Sequence, residues 1–392
     1  MMLQRFIDFN RKQHLVPPGE KVLLAVSGGR DSVTMAHLFS QARIPFAVAH
    51  CNFHLRPGDC DRDELFVRRL ADSYGVPFHS VSFDTRSHAA SHGMGIEEAA
   101  RHLRYSWFAT LCRDHGYACV ATAHHRDDAI ETFFLNLFRG TGIAGLHGIR
   151  PVSAYGDTRL VRPMLCFSRA DIDRYVEENR LPYVEDSTNA LLDARRNQLR
   201  HRLLPLLREL YPSVDETMAA NIERLHDAEL IFRDHIETLR QQLLRPYPSR
   251  LRDLPFVIQA LDLQALRALP TPLTVLFELL RPYGFNAAQA ADMLHAKTTG
   301  KQFLSPTHIA EYHRGLLLLA PLAEECVKGE GLERPWRPGD RFRPKGMKGS
   351  RLVSDFLKDL HLSRIEKAHV RLLVDADGHI LSVVGLRDAE GT

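Results

Sequence analysis

No C-x-x-C pair occurs anywhere in the chain; its six cysteines stand apart at 51, 60, 112, 119, 166 and 326. That spacing excludes a zinc ribbon and a dithiol redox pair, and it suits scattered reduced thiols in a cytosolic protein. No stretch approaches the roughly 20 apolar residues that a membrane helix needs. The N-terminal MMLQRFIDFNRKQHLVPPGE also lacks an apolar signal core. The expectation is a cytoplasmic protein with no membrane partner. Internal repeats and low-complexity segments are missing too. A formal charge of +3 over 392 residues is too small to name a partner, so local clusters must do so. What remains is 44% hydrophobic and 25% charged, a globular balance in a chain long enough for two or three domains.

Short apolar runs alternate with helical spacing over the first third. VLLAV (22–26), IPFAVAH (44–50), VPFHSVSF (76–83) and YACVATA (117–123) read as strands. The stretches 32–42, 60–75, 97–116 and 127–138 read as helices, two of them closed by Gly. Four such alternations predict an α/β fold with a doubly wound parallel sheet. Further on, 168–180 is helical, 181–189 a loop, and 194–210 a very basic helix with Pro205 inside it. Residues 215–320 read as mostly helical. The last stretch turns loop- and strand-like, with a hairpin at the Asp-Gly of RLLVDADGHILSVVG. The expected domains are 1–213, a helical middle 214–325, and a small mixed α+β C-terminal domain 326–392.

The first strand runs into SGGRDS (27–32) before a helix begins, which is where open α/β sheets bind ligands. Gly28 and Gly29 leave backbone N–H groups bare, Ser27 and Ser32 add hydroxyls, and a helix N-terminus favours anions. A plain strand-to-helix turn is the alternative. Asp31 weighs against it, because a carboxylate beside an anion nest repels phosphate unless a cation such as Mg²⁺ bridges them. No G-K-[ST] follows, so this is not a Walker loop. An ATP pyrophosphatase site fits, with Ser27, Gly28, Gly29, Arg30, Asp31 and Ser32 around ATP.

SGGRDS resembles the PP-loop of N-type ATP pyrophosphatases. With it, AHCNFHLRPGDCDRDE (49–64), IEEAARHLRY (96–105), ATAHHRDDAIET (121–132) and RGTG (139–142) resemble the motifs of the tRNA(Ile)-lysidine synthetase family. RPMLCFSRADI, VEDSTN and RRNQLRHRLLPLL complete the N-terminal half, and GDRFRPKGMKGSRLVSDFL (339–357) looks like that family's C-terminal domain. The likeness is strong over 20–210, fair over 335–390 and weak between 215 and 330.

The resemblance implies that free L-lysine is joined to C2 of the wobble cytidine, position 34, of an isoleucine tRNA with a CAU anticodon. ATP would be split to AMP and pyrophosphate. The C2 oxygen of cytosine is a poor leaving group, and adenylation converts it into AMP. The lysine amine poses a second problem. At its ordinary pKa near 10.4 about 4 molecules in 10,000 are neutral at pH 7, and deprotonation costs about 4.6 kcal/mol. His124, Asp128 and Glu131 share one face of a helix if that helix begins at 124. Asp128 and Glu131 are then candidates for binding lysine and His124 for relaying a proton. An acidic helix N-terminus favoured by the dipole is the plain alternative. Arg104 is expected to stabilise phosphate charge during adenylation; Arg101, on the same face, stays undecided. His50 and Arg56 follow the second strand and are expected near ATP, although a satisfied structural histidine is the competing reading for His50.

Two basic runs are candidates for holding tRNA. One is the helix with Arg196 and Arg200. The other, 333–352, has seven Lys or Arg, including Lys345 and Lys348, against two acids. Trp336 and Phe342 would stack on a base or pack. A homodimer stays open. The rival readings are a tRNA cytidine thiolase, an amide-forming synthetase with the same loop, and a non-catalytic tRNA-binding protein. The first usually needs paired cysteines; the last would have no use for Asp31, Asp128 and Glu131.

Overall fold

The computed structural model describes residues 1–53, 59–184, 194–251, 254–322, 333–347 and 349–389. The chain forms two compact units, Met1–Glu229 and Leu230–Thr392. In the first, the order is α1 (Met2–Lys12), β1 (Val22–Ala25), α2 (Arg30–Gln41), β2 (Phe46–Asn52), α3 (Asp59–Tyr74), β3 (Phe78–Ser82), α4 (Thr85–His92), α5 (Ile96–His115), β4 (Cys119–Ala121), α6 (Arg126–Arg139), α7 (Ile143–Leu146), β5 (Val152–Tyr155), β6 (Thr158–Val161) and α8 (Arg169–Asn179). The sheet order is β3-β2-β1-β4-β6-β5, parallel except for the antiparallel edge strand β5.

Alternate residues of a strand face opposite sides of a sheet, and here both sides are covered. Val22 and Leu24 join Phe6, Phe39 and Ile172 in one core, while Leu23 joins Ala47, Tyr105 and Phe108 in another. This is why VLLA is apolar throughout. From β1 the chain winds outward to β2 and β3, then returns to place β4 on the other side of β1. The order of winding therefore reverses between β1 and β4, and the crevice beyond their C-terminal ends is where such sheets bind ligands.

The basic stretch is helical but not one regular helix. α9 (Ala194–Gln198) passes into a π-helical turn, Leu199–Leu203, and then α10 (Leu204–Leu210). Pro205 cannot donate an i→i−4 bond, and the wider turn stands immediately ahead of it. α11 (Val214–Leu243) follows.

The middle segment carries helices α12 (Leu263–Arg267), α13 (Pro272–Leu280) and α14 (Ala287–Leu294), as expected, and also a five-stranded sheet that the mostly helical reading omits. Its strands are β7 (Leu244–Pro246), β8 (Gln259–Asp262), β9 (Lys301–Leu304), β10 (His308–His313) and β11 (Leu316–Pro321). They are short, and the apolar run LLLLA has no alternation to tell strand from helix. Arg314 and Gly315, at φ 52° and 90°, make the tight turn between β10 and β11. The C-terminal segment holds β12 (Glu333–Pro335), β13 (Arg341–Phe342), β14 (Arg351–Leu352), α15 (Val353–Asp359), α16 (Arg364–Ala368), β15 (Arg371–Val374), β16 (Ile380–Val383) and β17 (Arg387–Asp388). β15 and β16 form the expected hairpin, with Gly378 at φ 87°. Of the two aromatic side chains, both pack: Phe342 is buried, and Trp336 Nε1 donates to the Lys367 carbonyl oxygen at 2.7 Å. The buried Glu311 carboxylate of β10 accepts from the backbone N–H groups of Arg364 and Ile365, 2.9 Å each, at the start of α16.

Leu24→Ala should lower the stability of the first unit by about 2–5 kcal/mol. Leu65→Ala on α3, where the side chain is half exposed, should stay within about 0.5 kcal/mol. Urea unfolding of the two variants checks the contrast; equal losses would contradict the two-sided burial of β1.

Candidate active site

The loop after β1 is shaped by Gly28. Its φ is +93°, and a Cβ there would meet Phe66 Cδ1 and Val67 Cγ2 at 3.3 Å each. Any other residue would combine a strained backbone with a tight contact. Gly29 is the N-cap of α2, and its N–H donates to Ser27 Oγ at 3.3 Å. Ser32 Oγ donates to the Gly29 carbonyl oxygen at 2.9 Å. Beneath the loop, His50 is buried, with Nδ1 2.9 Å from the Val26 carbonyl oxygen. Burial pushes the His50 imidazole below its ordinary pKa. It therefore sits as a support of the loop and not among the residues that line the cavity above it. Arg56 lies outside the described residues.

That cavity, about 540 Å³, lies at the crevice between β1 and β4, within the range of small-ligand sites, roughly 300–1,000 Å³. Ser27, Gly29, Arg30, Asp31 and Ser32 line it from the first loop. Arg104 lines it from α5, His124 and Asp128 from the β4–α6 connection, and Arg169 from the start of α8. Four stretches far apart in sequence thus meet in one volume. The Arg30 guanidinium is turned toward Asp173 and lies over the Tyr183 ring, 4.8 Å from its centroid. Arg104 lies over the Phe53 ring at 5.0 Å.

α6 begins at Arg126, with His125 as its N-cap, so His124 precedes the helix instead of sharing its face. It faces the cavity nonetheless. Thr122 Oγ1 lies 2.9 Å from His124 Nδ1. Desolvation lowers the His124 pKa to about 4, helped by Arg162, Arg196 and Arg104 against the pull of Asp128. His124 is accordingly neutral at pH 7. Burial works against the Asp128 carboxylate. His125, His124, the His125 backbone N–H at 3.0 Å and Arg196 outweigh it and hold Asp128 below its ordinary value.

Glu131, buried one turn further on, does not reach the cavity lining. It receives Arg196 Nε at 2.7 Å on Oε2 and Arg200 Nε at 2.7 Å on Oε1. The same two arginines reach Asp128 Oδ1 at 3.3 and 3.5 Å. The carboxylates expected for lysine and the arginines expected for tRNA form one ion-pair cluster. Burial opposes the charge on Arg200, but its bonds to Glu131 raise its pKa above the ordinary value.

The structure adds two residues to those that the sequence names. Arg169 Nη1 approaches both Asp31 oxygens, at 3.2 and 3.1 Å. Its signal was present in SRADI, where Ser168 and Asp171 cap α8 and fix the first residue of the helix. His125 is buried, with Nε2 4.0 Å from Asp31 and 3.5 Å from Asp128. Nothing in the His-His dipeptide says which ring turns inward. The Asp31 carboxyl is raised above its usual range by burial, which His125 and Arg169 partly offset. In the second unit Lys345 is exposed, and Lys348 lies outside the described residues.

Three family models match the chain: the PP-loop domain over residues 4–207, the TilS substrate binding domain over 258–322 and the TilS substrate C-terminal domain over 333–392. A tRNA(Ile)-lysidine synthase of Bacteroides thetaiotaomicron is 36% identical, over 94% of this chain and 91% of its own. One from Parabacteroides distasonis is also 36% identical, over 96% and 93%. The solved U34-tRNA thiolase NcsA from Methanococcus maripaludis is a distant likeness, with a TM-score of 0.49 and 16% identity over 57% of this chain and 78% of its own. The chain belongs to the tRNA(Ile)-lysidine synthase family.

Proposed function

We propose that this chain ligates L-lysine to C2 of the wobble cytidine, position 34, of isoleucine tRNA with a CAU anticodon, by way of an adenylated tRNA. The observation that carries the proposal is the meeting of the glycine loop, Arg104, His124 and Asp128 around one cavity at the β1–β4 crevice. The loop, together with the N-terminus of α2, receives the phosphates of ATP. The cytidine O2 attacks the α-phosphorus and pyrophosphate leaves. Arg104 and Arg169 offer guanidinium charge to the phosphoryl group as it changes hands.

The donor set suits Mg²⁺. Asp31 presents hard carboxylate oxygens to the cavity, and the nearby Cys51 thiol, pushed up to about 12 by burial, stays protonated. Bound there, the ion would neutralise phosphate charge next to Asp31, whose present partner is Arg169.

In the second step the lysine Nε attacks C2 and AMP departs with the oxygen. Asp128, which faces the cavity as Asp31 does, attracts the ammonium. Glu131, behind it, fixes Arg196 and Arg200 and so sets the charge that lysine meets. His124, neutral and held through Nδ1 by Thr122, is placed to accept the proton that lysine loses. The exposed Lys345, with Lys348, contacts tRNA phosphates.

Nucleoside mass analysis after incubation with ATP, lysine and tRNA, each omitted in turn, tests the reaction. Lysidine should form only in the complete mixture, and sulfur in place of lysine would favour the thiolase. Asp31→Asn should cut pyrophosphate release by about 10²–10³-fold with an unchanged unfolding midpoint; near-normal release would remove Asp31 from the phosphate site. The His124 ring should titrate near 4 by NMR. An imidazole with a lowered folded pKa leaves the unfolded chain binding more protons between the two values. Its contribution to stability is complete above about 6.5 and is lost as pH falls through about 4. A titration midpoint at 6.5 would contradict its desolvated setting. Lys345→Ala should weaken tRNA binding and make the slope of log K against log salt shallower by about 1; an unchanged slope would mean no phosphate contact.

A further inference from the structure

α6 runs out of the cavity and ends in an exposed apolar surface. Phe138, 65% exposed, and Leu206, 51% exposed, lie with Leu199 and Leu203 in a groove of about 590 Å³ between α6 and the basic stretch. Arg139 and Arg202 line the same groove, and neither has a carboxylate partner among the described residues. Phe134 stacks beneath Phe138, with centroids 5.9 Å apart and planes 27° from parallel. From Asp128, which lines the cavity, to Phe138 is ten residues of helix, about 15 Å at 1.5 Å per residue. The reacting centre is therefore within reach of about two unstacked nucleotides.

We infer that this groove receives a nucleotide flanking the reacting cytidine, its base stacked on Phe138 and its phosphate between Arg139 and Arg202. The inference rests on the tRNA reading given above. Three observations favour RNA over another occupant. The floor ends in an exposed aromatic ring already backed by a second ring, so a base extends an existing stack. On the rim Arg139 and Arg202, without a carboxylate partner among the described residues, complement a polyanion and would be costly to bury against an apolar protein face. Chemistry at C2 also requires the target base to leave its stack, so its neighbour loses a partner that Phe138 replaces. The π-helical turn serves both places. Within the turn, Arg200 points to Glu131 while Leu199 and Leu203 face the groove.

The test uses the full chain and an anticodon stem-loop RNA with 2-aminopurine on one or the other side of the reacting cytidine. Wild-type protein should quench one of the two probes. Phe138→Ala should weaken RNA binding about tenfold and relieve that quenching, and Phe138→Trp should restore both. Arg139→Gln with Arg202→Gln should make the salt slope shallower by about 1, the loss of one phosphate contact. Because these side chains are exposed, unfolding midpoints should match wild type and serve as the control. If wild type binds and modifies the RNA while every variant keeps its affinity, slope and quenching, the groove assignment is wrong and the lysidine reading stands. If wild type neither binds nor modifies the RNA, both fall. A shift from dimer to monomer in Phe138→Ala with RNA binding intact would make the groove a self-association surface and overturn the inference.

Discussion

The placement of β4 beside β1 is the constraint on which the site depends. With β2 and β3 on one side of β1 and β4 on the other, the winding reverses there, and the reversal opens a crevice at the C-terminal ends of the two strands. Everything chemical is hung on that crevice. The loop after β1 brings the glycines and Asp31, the connection after β4 brings His124, His125 and Asp128, and α5 and α8 flank it with Arg104 and Arg169. His50 fixes the loop from below through the Val26 carbonyl. Gly28 fixes it from the side, where a Cβ would press on Phe66 and Val67.

Charge compensation organises the second level. The first turns of α6 carry Asp127, Asp128 and Glu131, all largely buried, which would be unfavourable without partners. Arginines from a single downstream stretch answer them: Arg208 meets Asp127, and Arg196 and Arg200 meet Asp128 and Glu131. The electrostatic setting of His124 is part of the same arrangement, because Arg196 contributes to keeping it neutral.

Much of this was legible in the sequence, and for physical reasons. VLLAV and YACVA read as strands because burial on both faces leaves no polar position. SGGRDS read as an anion loop because its glycines, hydroxyls and following helix are all local features. Long-range pairings were not legible. Arg196 and Arg200 read as tRNA contacts because basic residues on a helix face look alike whether they meet solvent, phosphate or a buried glutamate. Arg169 and His125 are not legible because one carboxylate partner of each, Asp31, lies more than ninety positions away in the chain. The sheet of the middle segment was missed because strands of three to six residues give periodicity too little length to register.

The source of the arginines has a consequence for how the protein comes into being. The carboxylates of α6 are synthesised well before the guanidiniums that neutralise them, which arrive 65 to 81 positions later. A nascent chain released from the ribosome with only its first 190 residues would contain every strand of the nucleotide-binding sheet and still leave three acids inside it without their arginine partners. Dissecting a minimal ATP-splitting fragment from this polypeptide therefore requires a cut beyond Arg208, not at the last strand.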